Sequence, residues 1–191
     1  MMARRTPART RLLHAADRML FTRGVQATPV DVLLREAETS AATLYAHFGS
    51  KDGLLAEALE ARLSNWQAVW DAHVAEASDD TSRLLAIFDA LLAYRNGDHP
   101  SARWCAFLTT ASEISNPPKP VQTVLEADSA LLRKRLLHLA RPLAGDRAAE
   151  LADAVELVYS GVLASFLRGE PTDPILVGRR SVEALAASFR S

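Results

Sequence analysis

The sequence contains little cysteine, little glycine and few aromatic residues. Among its 191 residues there are one cysteine and eight glycines, and 6% of the residues are aromatic. The one cysteine, Cys105, excludes a disulfide within the chain and a metal site built on paired cysteines. Scarce glycine and few β-branched runs argue against a sheet protein, whereas abundant alanine, leucine, arginine and glutamate favour helices. The composition therefore predicts an all-α fold.

Long apolar runs are missing as well. No stretch reaches the roughly 18 apolar residues that a transmembrane helix needs, and Met1 is not followed by the hydrophobic region of a signal peptide. We therefore expect a cytoplasmic protein with no membrane partner. The net charge of −1 excludes a protein that is basic throughout, while a hydrophobic fraction of 49% is enough to bury a sizeable core.

The familiar motifs of catalysis are also absent from the sequence. It has no G-x-S-x-G, no P-loop and no Rossmann fingerprint. The five histidines are scattered, and none stands near a carboxylate at the spacing of metal ligands. We therefore expect neither an enzyme nor a protein that needs a metal or another cofactor.

Positive charge is concentrated at the N-terminus although the chain as a whole is not basic. The first 23 residues hold one acidic residue, Asp17, against six arginines: Arg4, Arg5, Arg9, Arg11, Arg18 and Arg23. Such a segment suits a phosphate backbone. A solvated, disordered tail is the alternative interpretation of residues 1–8.

The stretch from residue 28 to residue 55 predicts three short helices joined by two tight turns. Thr28 is expected to cap the first helix with its hydroxyl, and Pro29 is expected to occupy the first helical position, where no N–H is needed. Apolar residues then recur at helical spacing and give this helix one apolar face. They are Val30, Leu33, Leu34 and Ala37.

The second helix of this stretch is short. Ser40 is expected to cap it and Gly49 to end it, and Ser50 should cap the third helix, which begins at Lys51. The residues expected on its inner side are Ala41, Leu44 and Phe48.

The outer face of this short helix is small and nearly uncharged. It presents Ala42, Thr43, Tyr45 and Ala46. Such a face can enter a DNA major groove without a clash, and its methyl groups can meet thymine methyls. Tyr45, His47 and Lys51 lie at the flanks, where phosphate oxygens would be. Packing against the neighbouring helix is the alternative role for His47.

The same residues resemble a known signature. The run Thr43-Leu44-Tyr45-Ala46-His47-Phe48, followed by Ser50-Lys51-Asp52 and Leu54-Leu55, is similar to the DNA-binding signature of TetR-type (tetracycline-repressor-like) transcriptional regulators. The close resemblance covers residues 9–60. The family usually has a glycine where this chain has Glu38 and a small residue where it has Leu34.

The resemblance implies a division of labour along the chain. Residues 8–54 would form the DNA-binding domain, with the helix-turn-helix at about 31–50, and residues 55–191 would bind an effector and form the dimer. The protein would then be a ligand-responsive regulator, a repressor, that binds palindromic double-stranded operator DNA as a homodimer. The residues expected to contact DNA are Thr28, Thr39, Ser40, Ala41, Ala42, Thr43, Tyr45, His47 and Lys51.

The remainder of the chain has a helical pattern throughout. Besides a first helix over residues 8–23, the predicted helices are a long one from Lys51 to about residue 78, and others over 82–95, 101–113, 121–141, 147–168 and 175–190. The last two could form a four-helix interface with a symmetry mate or could simply close the monomer core. The resemblance favours the dimer.

Seven aromatic residues could surround an effector cavity between helices. They are Trp66, Trp70, Phe88, Trp104, Phe107, Tyr159 and Phe166. Ordinary core packing is the alternative for each of them. The sequence also allows a different function, a helical small-molecule-binding protein that has lost DNA binding, or a purely structural helical dimer. A DNA-binding assay at low salt would separate the regulator from the first of these.

Overall fold

The computed structural model describes residues 6–97 and 105–189, and all regular structure in those ranges is helical. The all-α prediction is confirmed. The helices are α1 (Ala8–Arg23), α2 (Val30–Glu36), α3 (Ala41–Phe48), α4 (Lys51–Glu76), α5 (Asp80–Asn96), α6 (Ala106–Glu113), α7 (Lys119–Ala144), α8 (Ala148–Arg168) and α9 (Pro174–Ser188), with a 3₁₀ turn at Gly145–Arg147. None of the described helices is long and apolar enough to cross a membrane.

The chain folds into two compact units. The described residues of Met1–Arg62 and Pro100–Glu126 form the N-terminal unit, and those of Leu63–His99 and Ala127–Ser191 form the C-terminal unit. The helices α4 and α7 therefore contribute residues to both. These units divide the chain by packing, and the functional boundary after residue 54 stays a prediction.

Apolar stripes at helical spacing build the core of the N-terminal unit. Helices α1, α2 and α3 pack on one another, and the first turns of α4 join them. Their fully buried leucines are Leu12, Leu20, Leu33, Leu44, Leu54, Leu55 and Leu59.

Local signals place most helix ends where the sequence predicts them. The side chains of Ser40, Ser50 and Asp79 each accept the backbone N–H of the residue three positions later, which is the ordinary N-cap bond. Gly24 and Gly49 follow the last residues of α1 and α3 with positive φ. These short-range interactions explain why the limits of α1 and α3 agree with the prediction.

The predicted cap at Thr28 is wrong. Its hydroxyl donates to the carbonyl oxygen of Gly24 at 2.7 Å, and the residue is 1% exposed. Helix α2 begins at Val30, and Pro29 precedes it without a side-chain cap. The chain folds back after α1, so the nearest unsatisfied group for a buried hydroxyl is a carbonyl of the preceding turn rather than an N–H of α2.

Two other predicted limits also need correction. Helix α6 begins only at Ala106, with Cys105 as its flanking residue, although residues 101–113 were expected to be helical; residues 101–104 lie outside the described part. Helix α7 contains both Pro120 and Pro142, which were expected to lie in breaks. A proline in the first turn costs no hydrogen bond, and one in the last turn disturbs only the end of the ladder.

In the C-terminal unit, α9 packs against α8 and α5. The helices pack tightly at Gly178, where an added Cβ would lie 2.3 Å from Cγ2 of Val162 and 3.0 Å from Cε1 of Phe88. Only a residue without a side chain fits there. Gly161 on α8, in contrast, has open space where its Cβ would be.

Candidate nucleic-acid interface

Helix α3 turns two residues inward and most of the others outward. Leu44 is fully buried and Phe48 is 8% exposed, as predicted, whereas Tyr45 is 54% exposed. The other exposed residues of the helix are Ala41, Ala42, Ala46 and His47. Because none of these carries a permanent charge or a long flexible chain, the outward surface is a slim, mostly methyl-lined ridge.

Two residues of α3 differ from expectation. Ala41 was expected on the inner side, but it is exposed because the inner positions of this short helix are filled by Leu44 and Phe48. Thr43 is half-buried, and its hydroxyl lies 3.0 Å from the hydroxyl of Ser40, which also accepts the Thr43 N–H at 3.3 Å. The Thr43 side chain is therefore held at a fixed rotamer at the start of the ridge.

The remaining candidate contacts lie around this ridge with one exception. Ser40 is exposed and Thr39 is half-buried, both in the turn between α2 and α3. His47 is exposed, with its ring edge-on to Phe48 at a centroid distance of 6.1 Å. Thr28 is the exception: its buried hydroxyl is directed into the protein, so its side chain cannot reach a phosphate.

Lys51 has a second possible role. Its Nζ donates to the carbonyl oxygen of Val25 at 2.6 Å, across 26 residues of sequence, and the side chain is half-buried. Burial lowers the pKa of its ammonium, and the carboxylates of Asp52 and Glu113 counteract part of that shift. The lysine thus braces the loop after α1 while it keeps a positive charge beside α3.

Glu113, which the sequence presents as an isolated carboxylate, holds the same loop from another side. Its Oε2 accepts the backbone N–H of Gln26 at 2.9 Å, and its Oε1 would lie 2.9 Å from a Cβ added at Gly24. Helix α6 is thereby fixed to the end of α1 inside the N-terminal unit. The contact joins residues 87 positions apart, so no sequence pattern could have predicted it.

Arg11 fixes the turn between α2 and α3. Its Nε donates to the carbonyl of Ala37 at 2.8 Å and its Nη2 to that of Glu38 at 3.0 Å, while Nη1 donates to Thr6 at 2.6 Å. Glu38 has φ 47°, a left-handed conformation that costs a non-glycine residue about 1 kcal/mol or more. The guanidinium satisfies the carbonyls that this turn exposes and so offsets that cost.

Replacing Arg11 with alanine should loosen this turn. Charge-assisted hydrogen bonds contribute about 1.5–3 kcal/mol each, so we expect amide hydrogen exchange over residues 37–44 to become about 30-fold faster, equivalent to about 2 kcal/mol. The matched control is Arg18→Ala, which removes an ion pair with Glu36 between two half-exposed side chains at 2.5 Å and should cost under about 1 kcal/mol. Equal effects of the two variants would contradict the assigned role of Arg11.

The N-terminal arginines are largely engaged inside the unit. Arg9 pairs with Glu57 and lies 5.5 Å from the ring centroid of Phe48, while Arg4 and Arg5 are outside the described residues. The predicted basic arm thus contributes to the domain's own stability. Arg9 and Arg18 remain about half exposed.

Gly53 is a residue whose importance the sequence reading missed. A Cβ there would lie 2.0 Å from the carbonyl oxygen of Phe48, because the first turn of α4 closes directly onto the end of α3. Any side chain would push these helices apart. The spacing of Gly49 and Gly53 around the cap at Ser50 was the available signal.

The aromatic residues proposed for an effector cavity are only partly brought together. Trp66 lies 5.7 Å from Trp70 and 6.2 Å from Tyr159, and Phe88 lies 6.5 Å from Tyr159, as ring-centroid distances. Tyr94, which was not predicted, contacts Trp66 edge-on at 5.8 Å. We call these five residues the aromatic cluster. It is packed inside the C-terminal unit.

The other three predicted aromatic residues lie elsewhere. Phe166 is half-buried under the Arg95 guanidinium, which sits 3.6 Å above its ring centroid. Phe107 belongs to the N-terminal unit, and Trp104 lies outside the described residues. Within the described ranges there is no group of three or more histidine, cysteine, aspartate or glutamate side chains that could hold a metal ion.

Comparison with known proteins agrees with this geometry. Residues 12–58 match the family model of bacterial regulatory proteins of the tetR family. A search of curated proteins gave no match. Among solved structures, a TetR-family transcriptional regulator from Streptomyces coelicolor superposes with a TM-score of 0.87 at 22% identity, covering 96% of each chain.

Two further structures are similar over their full length. A TetR transcriptional regulator from Legionella pneumophila has a TM-score of 0.76 at 19% identity, covering 97% of this chain and 99% of that one. A transcriptional regulator from Saccharomonospora viridis, solved in complex with choline, has a TM-score of 0.78 at 21% identity, covering 96% and 97%. At these identities the likeness is one of fold.

Proposed function

We propose that the chain is a TetR-type regulator, namely a ligand-controlled repressor that binds a palindromic operator as a homodimer, because residues 12–58 match the tetR-family model and the chain shares the fold of TetR-family regulators. Regulators of this family are DNA-binding proteins and not enzymes. The observation that carries the proposal is the slim ridge of α3, on which Ala42 and Tyr45 are exposed and Thr43 is half-buried.

In the proposed complex α3 lies in the major groove. Methyl groups of Ala41, Ala42 and Thr43 contact base edges, with Thr39 beside them. Tyr45, His47 and Lys51 face the flanking phosphates, where the N-terminal end of a helix also favours anions. Two such helices, one from each subunit, would occupy successive major grooves about 34–36 Å apart.

The dimer is proposed to form through α8 and α9. Two aliphatic side chains are left largely open to solvent: Leu157 on α8 is 74% exposed and Val177 on α9 is 50% exposed. Gly161 on α8 also has open space where a Cβ would be. A groove of about 330 Å³ runs along the same face, lined by small and apolar residues such as Ala164, Ser165 and Pro171. An uncovered apolar face with small residues fits a helix-to-helix interface with a second copy.

The effector is proposed to bind in the C-terminal unit near the aromatic cluster. Packed aromatic side chains between helices are a usual setting for small-ligand sites. The choline complex of the Saccharomonospora viridis regulator supports the idea that this fold holds a small molecule. The effector must bind one conformer of the regulator better than the other to release DNA.

A fluorescence anisotropy titration on DNA flanking the coding region tests the proposal. Thr43→Ala should weaken specific binding about tenfold and leave non-specific binding unchanged. Lys51→Ala should weaken binding to any sequence and lower the salt slope by about one. The control Lys134→Ala, at an exposed lysine of the C-terminal unit, should change neither quantity.

The same titration separates a DNA-binding regulator from the alternative function, a helical small-molecule-binding protein that has lost DNA binding. A protein that had lost DNA binding would give no saturable anisotropy change even at low salt. If the Thr43→Ala variant and the Lys51→Ala variant each bound DNA with wild-type affinity, α3 would not be the helix that recognises the operator.

A further inference from the structure

One face of α8 carries five residues at intervals of three or four, so they form a single line along the helix. From the N-terminal end they are Asp153, Leu157, Gly161, Ser165 and Arg168. We call these five residues the α8 stripe. Four of them are exposed and Ser165 is half-buried, so most of the stripe is open to solvent.

The order of residue types along the α8 stripe is self-complementary. It runs from an acidic residue to a large apolar one, then to a residue without a side chain, a small one and a basic one. When the direction is reversed, the acidic end meets the basic end and the leucine meets the serine. A second copy of the helix, antiparallel and crossing at Gly161, therefore matches the stripe at each position. A parallel copy would set aspartate against aspartate and arginine against arginine.

The charges at the two ends of the stripe are not balanced within the chain. Arg168 lines the groove between α8 and α9 and has no ion-pair partner among the described residues. At the other end Asp153 lies 3.0 Å from Arg133, and Glu156 lies 3.8 Å from the same guanidinium. One exposed arginine thus serves two carboxylates, and exposed ion pairs of this kind are weak. The acidic end keeps a surplus of negative charge that the free cation of a second copy could neutralise.

The sizes along the stripe also match. Leu157 is 74% exposed, more than any other large hydrophobic residue in the described part of the chain. The groove of about 330 Å³ is lined by Gly161, Ala164 and Ser165 on the α8 side. The Ser165 hydroxyl donates to the carbonyl oxygen of Gly161 at 2.8 Å, so a leucine packed on it leaves no hydroxyl without a partner.

Helix geometry sets the distances in such a pair. Leu157 and Ser165 each lie four residues, about 6 Å along the axis, from Gly161, so each faces the other across an antiparallel crossing. Arg168 lies seven residues past the crossing, which places it beside the partner's Asp153. Within one chain Asp153 and Arg168 are separated by about 22 Å along the helix, so they cannot pair with each other.

We propose that α8 pairs with α8 of a second copy in an antiparallel register centred on Gly161, and that this register selects an identical chain as the partner. Leu157 fills the partner's groove beside its glycine and serine, and Asp153 pairs with the partner's Arg168. A chain with another order of charge and size on this face would set like charges or two large residues together. The proposal rests on the proposed function, because it specifies the register and selectivity of the dimer proposed there.

Cysteine cross-linking of the full-length chain tests the register, in a Cys105→Ser background that removes the native thiol. Gly161 would lie on the twofold axis, so Gly161→Cys should form a disulfide between subunits under mild oxidation. Leu157→Cys and Ser165→Cys should each fail alone, because equivalent positions would lie about 12 Å apart along the axis, beyond the roughly 7 Å between Cα atoms that a disulfide spans. Both substitutions in one chain should cross-link, since each cysteine then faces the other.

A charge exchange tests the ion pair between subunits. Arg168→Asp alone should weaken the dimer about tenfold or more, measured by sedimentation equilibrium, because it sets two carboxylates together. The double variant Asp153→Arg, Arg168→Asp should return the dimer Kd to within about threefold of wild type. Only a contact between subunits explains this rescue, since the two positions are too far apart within one chain. Arg141→Asp, at an exposed arginine of α7, is the matched control and should leave the dimer Kd unchanged.

Mixing the two single variants tests the selection of a partner. Chains with Asp153→Arg and chains with Arg168→Asp would each carry like charges in their own dimers. Together they present both opposite-charge pairs, so native mass spectrometry of an equimolar mixture should show mainly the mixed dimer. A statistical mixture of the three dimers would contradict selection by these charges.

The inference is overturned if Gly161→Cys does not cross-link, if Leu157→Cys cross-links alone, or if the charge exchange fails to restore the dimer. Operator binding and sedimentation of the wild-type protein are measured in parallel. A wild-type dimer that binds its operator, together with any of these outcomes, rejects the register alone. A wild-type protein that stays monomeric rejects the proposed dimer as well.

Discussion

Ala42→Glu is expected to lower affinity for the operator by 100-fold or more without destabilising the protein. The substituted carboxylate would stand on the exposed ridge of α3, against the phosphate-lined groove, where juxtaposed like charges cost several kcal/mol. Ala42 is the second residue of α3, a position at which an acidic side chain stabilises a helix through its dipole. Loss of binding therefore could not be attributed to unfolding of the helix.

A matched control exists within the chain. Ala149 is exposed and is the second residue of α8, so Ala149→Glu introduces the same charge at the same helical position in the C-terminal unit. Anisotropy titrations and melting curves of both variants should show a large loss of DNA affinity for Ala42→Glu alone. Comparable affinities of the two variants would mean that α3 does not enter the groove.

Leu157→Arg is expected to convert the proposed dimer to monomers and to lower operator affinity by about 10²- to 10⁴-fold, since each half-site would then be bound without avidity. Two symmetry-related arginines would both lie in the proposed interface, and the substitution adds no negative charge to compensate them. Light scattering coupled to gel filtration gives the oligomeric state, and anisotropy gives the affinity.

Leu92→Arg is the control for this second variant. Leu92 on α5 belongs to the same unit and is 50% exposed, so it tests whether any arginine at an exposed leucine disturbs assembly. We expect it to remain a dimer. Dissociation of Leu92→Arg but not of Leu157→Arg would place the interface on a surface other than α8 and α9.

Sequence reasoning succeeded where the determinants are local. The cap at Ser40, the inward Leu44 and the end of α3 at Gly49 follow from interactions within four residues, and the structure has all three. The outward orientation of Ala42, Tyr45 and Ala46 was predicted from the same short spacing, and all three are exposed.

Sequence reasoning failed where the determining contact joins residues that are far apart in the chain. The hydroxyl of Thr28 bonds backward to Gly24 because the chain folds over it, and Arg11 stabilises the strained Glu38 across 27 residues. Neither contact has a periodic signature. The α8 stripe is a different case: its spacing was visible in the sequence, but the exposure of its members becomes known only from the structure.

The most direct test of the account is a dimethyl sulfate footprint of the operator bound by the wild-type protein. The reagent methylates guanine N7 in the major groove and adenine N3 in the minor groove, so it reports which groove is occupied. We predict protection of guanine N7 in two patches about one helical turn apart, and loss of both patches with Ala42→Glu. Protection confined to adenine N3, or N7 protection that survives Ala42→Glu, would contradict the placement of α3 in the major groove.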